Sequence, residues 1–105
     1  MRQDIKKQWV DALRSGVYQQ GRGLLRDERD NFCCLGVLCN LHAQTHHKIA
    51  AQQEVSTSYM GHWTYPPGEV REWAGLTREA ECELATMNDS GFDFQNIADH
   101  IEENL

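Results

Sequence analysis

The sequence predicts a compact single domain, residues 1–105, that is mainly α with a small β hairpin: an α+β fold of about five helices. Three observations support this prediction. Apolar residues recur at three- and four-residue intervals in several segments, which is the spacing of one helix face. Glycine, proline, Thr and Asp punctuate the chain between those segments. Apolar residues make up 40% of the chain, the usual share for a globular domain.

The first predicted helix covers residues 4–15. Ile5, Trp9, Ala12 and Leu13 follow the spacing of one face, and Gly16 fits the left-handed position that ends helices. Two glycines and a turn cluster at 27–31 then predict a short β hairpin or an irregular ribbon that pairs residues 18–25 with Phe32.

Residues 33–42 are the most apolar segment of the chain. A buried strand and a buried helix both fit so short an apolar run, and the continued three- and four-residue spacing through Leu41 favours a helix. Residues 43–64 are polar and weakly patterned, so we expect a mobile loop or a variable insertion there, with a short edge strand at 58–64.

Three further helices are predicted in the last forty residues. The first opens at Pro66–Pro67, since proline is tolerated in a first helical turn, and ends at Gly75. Thr77 caps the second, where Glu79 and Glu81 suit the positive end of the helix dipole. The sequence NDSG ends that helix, and we expect Asn88 and Asp89 to hydrogen-bond the backbone of their own turn. Asp93 caps the last helix, 94–104.

Three of the four cysteines lie close together in NFCCLGVLCN. A disulfide framework, a metal site with His42 and His46, a catalytic thiol and buried packing are the alternatives. Large aliphatic residues between the candidate ligands and the lack of a Gly/Pro knuckle disfavour zinc. We therefore expect reduced, mostly buried, metal-free cysteines that pack as small apolar residues, and no cofactor.

Charge is unevenly distributed along the chain. The net charge is −6, yet residues 1–65 hold eight Lys/Arg and six Asp/Glu, and residues 66–105 hold two and ten. The acidic part disfavours nucleic-acid binding, which needs Lys and Arg. No apolar run is long enough to cross a bilayer and the N-terminal segment is charged, so we expect a cytoplasmic protein without membrane contact.

Four motifs together give the chain a recognisable pattern. They are W-x₃-LRSG-x-Y-x-QG-x-G-x-L at 9–25, FCCLGVLC-x-L at 32–41, EWAGL at 72–76 and L-x₃-NDSG-x-x-F-x-x-IAD-x-IEENL at 84–105. With these motifs the chain resembles a family of small uncharacterised proteins of bacteriophages and prophages, and the resemblance implies action inside a bacterial host cell. It implies no catalytic residue and no cofactor.

Two functions follow as expectations. The first is a non-catalytic accessory protein that binds a host component, a regulator or defence factor, through acidic residues of the last helix, namely Asp99, Glu102 and Glu103. The alternative is a small-molecule protein, either a nucleotide-sequestering sponge or a minimal hydrolase acting on a signalling nucleotide. Its anionic ligand would bind in the predicted hairpin, at Tyr18, Gln20, Arg22 and Arg26.

The hairpin arginines admit two arrangements. Packed beside the last two helices, Arg22 and Arg26 would neutralise acidic residues within the monomer. Pointing away, they would leave a dipolar molecule prone to self-association or to anion binding. We expect the packed arrangement because a small domain has few places to hold a hairpin away from its helices. The oligomeric state is left open.

Overall fold

A computed structural model of the chain describes residues 1–45, 51–53, 57–59 and 61–105. The fold class is mainly α with a small β part, as predicted. Its helices are α1 (Gln3–Arg14), α2 (Cys34–Thr45), α3 (Gly68–Ala74), α4 (Arg78–Asp89) and α5 (Phe94–Asn104). Its strands are β1 (Gln19–Gln20), β2 (Asn31–Phe32), β3 (Ala51–Gln53) and β4 (Thr57–Tyr59).

The helix ends follow the capping residues expected from the sequence. Thr77 accepts a hydrogen bond from the Ala80 amide and Asp93 accepts one from the Asn96 amide, so both predicted caps are confirmed. Gly16 has a φ of +77°, the left-handed conformation that stops α1. The start of α3 was predicted too early: Pro67 is its extended N-cap residue, with ψ of 152°, and the helix begins at Gly68.

One apolar core joins all five helices. Helix α2 lies at its centre and contacts α1, α3 and α4. Residues 34–39 of α2 are all buried, so this helix has no polar face in its first turns. The indole Nε1 of Trp9 donates to the Cys34 carbonyl oxygen at 2.9 Å and fixes α1 against the start of α2. The core residues include Trp9, Leu13, Leu35, Leu38, Val70, Leu84, Ile97 and Ile101, with Trp73 packed at the edge.

The β part differs from the predicted hairpin in its pairing. Strands β1 and β2 are parallel, with Gln20 opposite Phe32. The chain between them turns back, so that Arg26 forms an antiparallel bridge to Phe32. Phe32 therefore lies between two neighbouring backbones, and a simple antiparallel pairing of 18–25 with Phe32 was wrong. The chain between β1 and β2 is long enough to turn back and make this parallel pairing. The residue pattern alone does not reveal such a return.

The predicted loop at 43–64 falls partly outside the described residues, so its mobility stays a prediction. The described part contains the last turn of α2, which reaches Thr45, and the antiparallel pair β3–β4. The Tyr59 side chain is buried against the core. The edge strand expected at 58–64 overlaps β4, Thr57–Tyr59, only at its first two residues, and His62 makes an isolated bridge to Tyr59. Residues 61–64 are otherwise turns and bends, so the predicted strand extended too far.

Gly36 marks the closest approach between α2 and a neighbouring segment. A Cβ atom placed there would overlap the backbone carbonyl of Leu25. Leu25 is itself fully buried, and its carbonyl accepts from the Cys33 amide, so this backbone has little freedom to retreat. The glycine thus allows 25–27 to pack directly on α2.

We expect Gly36→Ala to lower the free energy of unfolding by at least about 2 kcal/mol, because the added methyl forces apart two backbones. Urea denaturation measures this loss. Gly68→Ala is the matched control: its Cβ would meet only the Arg71 side chain, at 3.5 Å, and alanine favours a helix. Equal stability of the two variants would contradict the close packing at Gly36.

Candidate functional site

A cleft lies beside α3 and the first turns of α4. Its volume is about 320 Å³, and its lining residues are Tyr65, Arg71, Arg78, Glu81 and Cys82. Because Thr77 caps α4, three of these residues fall in the first turns of that helix. Arg78, Glu81 and Cys82 have the spacing that places side chains on one helix face. Arg71 comes from α3 and Tyr65 from the segment before it.

Glu81 is the buried acid of this cleft. The residue is only 2% exposed, and its Oε2 atom lies 3.4 Å from Nη1 of Arg71. The other oxygen, Oε1, is buried and finds no hydrogen-bond partner among the described residues. Burial raises the pKa of Glu81, while the charges of Arg71, Arg78 and His62 oppose that rise. A carboxyl with a free buried acceptor costs stability and invites a donor from outside.

The two arginines of the cleft differ in their surroundings. Arg71 is half-buried, and its Nη1 also donates to the Pro66 carbonyl oxygen at 3.3 Å, which holds the guanidinium in place. Arg78 is exposed, and no ion pair or hydrogen bond of its side chain is seen within the described residues. With two guanidinium groups and one carboxyl among its lining residues, the cleft carries positive charge and suits an anion. The Tyr65 ring, 46% exposed, offers it a flat apolar wall.

The cleft was not predicted from the sequence, although the sequence contains one indication of it. Arg71 and Arg78 are the only Lys or Arg residues in 66–105, a stretch with ten Asp and Glu. Two isolated cations in an acidic stretch are the residues that a shared anion site would need. Glu81 was interpreted from the sequence only as an acid that suits the helix dipole, because its burial and its contact with Arg71 depend on residues distant in sequence.

The residues predicted to bind a ligand have intramolecular contacts. Tyr18 packs edge-on against Phe32, with ring centroids 4.9 Å apart, and its hydroxyl accepts from Asn40. Arg26 pairs with Asp30 at 2.8 Å and stacks over the Phe32 ring. Arg22 is exposed. The contacts above account for the positions of Tyr18 and Arg26 without a ligand. Ligand binding stays a prediction for the four residues named from the sequence, Tyr18, Gln20, Arg22 and Arg26.

Asn88 was expected to bond its own turn, and that expectation was wrong. Its Oδ1 accepts from the Cys34 amide at 3.1 Å and from Nε2 of Gln20 at 3.0 Å. Its Nδ2 donates to the Gly21 carbonyl oxygen at 2.8 Å. The neighbouring Asp89 likewise accepts from the Gly23 amide at 3.1 Å. The end of α4 is therefore fastened to the segment 20–23 and to the start of α2.

The acidic residues expected to bind a partner are partly paired. Arg14 donates to Asp99 at 2.6 Å and to Glu102 at 2.7 Å, whereas Glu103 is exposed. These two carboxylates raise the pKa of the Arg14 guanidinium through their hydrogen bonds. The segment 20–23 packs beside the end of α4, as the packed arrangement requires. The arginine that pairs with acidic residues of the last helix is Arg14, however, and Arg26 pairs with Asp30 of its own turn.

The clustered cysteines are buried, as predicted. Cys33, Cys34 and Cys39 lie in the core and Cys82 is exposed in the cleft; all four are free thiols. Burial raises the pKa of Cys33 to about 11 and raises those of Cys34 and Cys39 well above their usual value. The three core thiols are therefore neutral at pH 7 and poor nucleophiles. Within the described residues, no group of three or more His, Cys, Asp or Glu is arranged to hold a metal ion, and His46 lies outside them.

Among the helices of the described segments, none is long and apolar enough to span a membrane.

The chain belongs to DUF8296, a domain family of unknown function, whose family model matches residues 1–105. Comparison with curated proteins and with solved structures gives no match.

We expect Glu81→Gln to be more stable than the parent protein at pH 7. Burial raises the folded-state pKa of Glu81 above its ordinary value of 4.5, so the folded protein binds this proton more tightly than the unfolded chain does. Ionisation of Glu81 therefore costs stability as pH rises from the ordinary value through the raised folded-state pKa. The gain should fade as pH drops below the ordinary value. Thermal melts between pH 4 and pH 8 measure it.

Glu79→Gln is the control, since it removes the same charge from an exposed position of the same helix. Its melting temperature should change little across the pH range. A Glu81→Gln variant that is destabilised at pH 7 would show that the pair with Arg71 outweighs the cost of burial.

Proposed function

We propose that this protein is a small phage or prophage accessory protein that acts in the bacterial cytoplasm by binding a small anionic molecule of the host. The observation that carries the proposal is the cleft of Arg71, Arg78 and Glu81 beside Tyr65. This is the small-molecule function, the second of the two expected from the sequence. The proposed binding residues lie in and beside α3 and α4 instead of at 18–26.

The electrostatics of the cleft support anion binding. Within the described segments no group occupies the guanidinium donors of Arg78, and Glu81 and Pro66 occupy only Nη1 of Arg71, so both arginines have donors for a ligand. Guanidinium groups bind carboxylates and phosphates through paired N–H donors. Residues 66–105 are otherwise acidic and repel anions, so an anion that binds in this part of the chain should do so at Arg71 and Arg78.

Binding without turnover is the proposed activity. The cleft is about 320 Å³, at the lower end of the range of about 300–1,000 Å³ seen for small-molecule sites. Its arginines hold an anion and its aromatic ring covers one face, as sequestration requires. Sequestration needs no reaction at the Cys82 thiol or the Glu81 carboxyl.

A host protein is the second candidate partner, because two apolar side chains project at one end of the molecule. Val17 is 77% exposed and Phe92 is 46% exposed. Val17 follows α1 and Phe92 precedes α5, and these helix ends adjoin, since Gln95 donates to the Arg14 carbonyl oxygen. The acidic charge of 66–105 favours a partner with a basic surface.

We expect Arg78→Ala to weaken binding of anions by roughly 10- to 100-fold, the effect of losing a charge-assisted hydrogen bond. Calorimetric titration with pyrophosphate and with nucleoside monophosphates measures this. Affinity should also fall as salt rises, because screening weakens attraction to an exposed guanidinium.

Arg29→Ala is the matched control, an exposed arginine far along the chain in the 27–31 turn. It removes the same charge and should leave affinity unchanged. The proposal is overturned if no anion binds, or if the two variants lose affinity equally, since net charge alone would then explain the effect.

A further inference from the structure

The floor of the cleft is a buried carboxyl, Glu81, whereas its rim carries the exposed guanidinium of Arg78. We propose that the ligand is a guanine nucleotide of nucleoside monophosphate size, whose base is read by Glu81 and whose phosphate is held by Arg78. This inference rests on the proposed function, that the cleft binds a small anion. It adds which anion the cleft selects, and by which residue.

Glu81 supplies the argument for an N–H donor. Its Oε1 atom is buried and has no partner among the residues described, and Glu81 is one of the residues that line the cleft. Its Oε2 atom is 3.4 Å from Arg71, longer than the roughly 2.7–2.9 Å of a strong charge-assisted bond, so it retains capacity to accept. One oxygen without a partner beside one that is weakly paired can meet two adjacent donors on a ligand.

Among the nucleobases, guanine presents such a pair. Its ring N1–H and its exocyclic 2-amino group point the same way and meet the two oxygens of a carboxylate together. Adenine offers a single amino group flanked by ring acceptors, and those acceptors face a carboxylate unfavourably. Uracil and thymine place their one ring N–H between two carbonyl oxygens. A bare phosphate or pyrophosphate would leave Oε1 without a donor.

The burial of Glu81 and the exposure of Arg78 set the orientation of the nucleotide in the cleft. Glu81 is 2% exposed at the floor, which suits an uncharged base, while Arg78 is exposed at the rim, which suits a hydrated phosphate. The half-exposed ring of Tyr65 lies between water and protein and can stack on the base. A cleft of about 320 Å³ has room for one nucleotide and not for a dinucleotide.

The experiment is a calorimetric titration of the full chain with GMP, IMP, AMP and pyrophosphate. GMP should bind at least tenfold more tightly than AMP. IMP keeps the N1–H group but lacks the 2-amino group, so its affinity should fall between them. Glu81→Gln should abolish the preference for GMP, because the amide replaces one acceptor by a donor, and should bring AMP to equal or higher affinity. Glu79→Gln should retain the preference of the parent protein.

Folding of each variant is checked by its thermal melt. Should Glu81→Gln fail to fold, Glu81→Asp tests the same point, since it keeps the charge but withdraws the carboxylate by one methylene and should also reduce the GMP preference. Equal affinity for GMP and AMP, with both still lost in Arg78→Ala, would overturn the base specificity and leave anion binding standing. GMP selectivity that survives in both Glu81 variants would overturn the assignment of Glu81. Absence of binding by all four ligands would overturn both proposals.

Discussion

The three hydrogen bonds of the buried Asn88 amide hold together parts of the chain that helix packing alone would leave loosely connected. Asn88 is fully buried, and its partners are the Cys34 amide, Gln20 and the Gly21 carbonyl. The first amides of an α-helix have no partner within the helix, so Asn88 serves α2 as a cap contributed by another helix. One side chain thereby joins the end of α4 to the start of α2 and to the irregular segment after β1.

The position of the cleft depends on this junction. Helix α4 is anchored at its last turn by Asn88 and in its middle by Leu84, which is fully buried and whose carbonyl lies 3.6 Å from Sγ of Cys34. Its first turn is ordered by the Thr77 cap and by the contact of Glu81 with Arg71 of α3. Binding side chains keep their geometry best when they project from such a fixed element. Arg78 and Glu81 meet that condition, while Tyr65 lies on a connecting segment.

Local patterns in the sequence were sufficient for the helices. The face of Ile5, Trp9 and Leu13, the Thr77 and Asp93 caps and the apolar stripe of α5 each depend on residues a few positions apart, so periodicity and capping rules recover them. The same rules gave the burial of Cys33, Cys34 and Cys39, since a fully apolar run of that length has to lie inside a small domain.

Contacts between distant residues were not recoverable in this way. Asn88 sits in NDSG, where Asn and Asp ordinarily bond their own turn, yet its partners are 54 to 68 residues away. The parallel pairing of β1 with β2 depends on how residues 21–30 return, and the cleft depends on the contact of Arg71 in α3 with Glu81 in α4. An exposed acid near a helix N-terminus and a buried one look alike in the sequence, so the candidate site had to come from the structure.

The most direct test of the role assigned to Asn88 is the unfolding free energy of Asn88→Ala, measured by urea denaturation beside Asn104→Ala, an exposed asparagine whose side chain bonds only within α5. We expect a loss of about 2–5 kcal/mol for Asn88→Ala, because a buried amide donor and a buried carbonyl acceptor lose their partner together, and a change below about 0.5 kcal/mol for Asn104→Ala. A loss at Asn88 no larger than the loss at Asn104 would contradict the structural role assigned to Asn88.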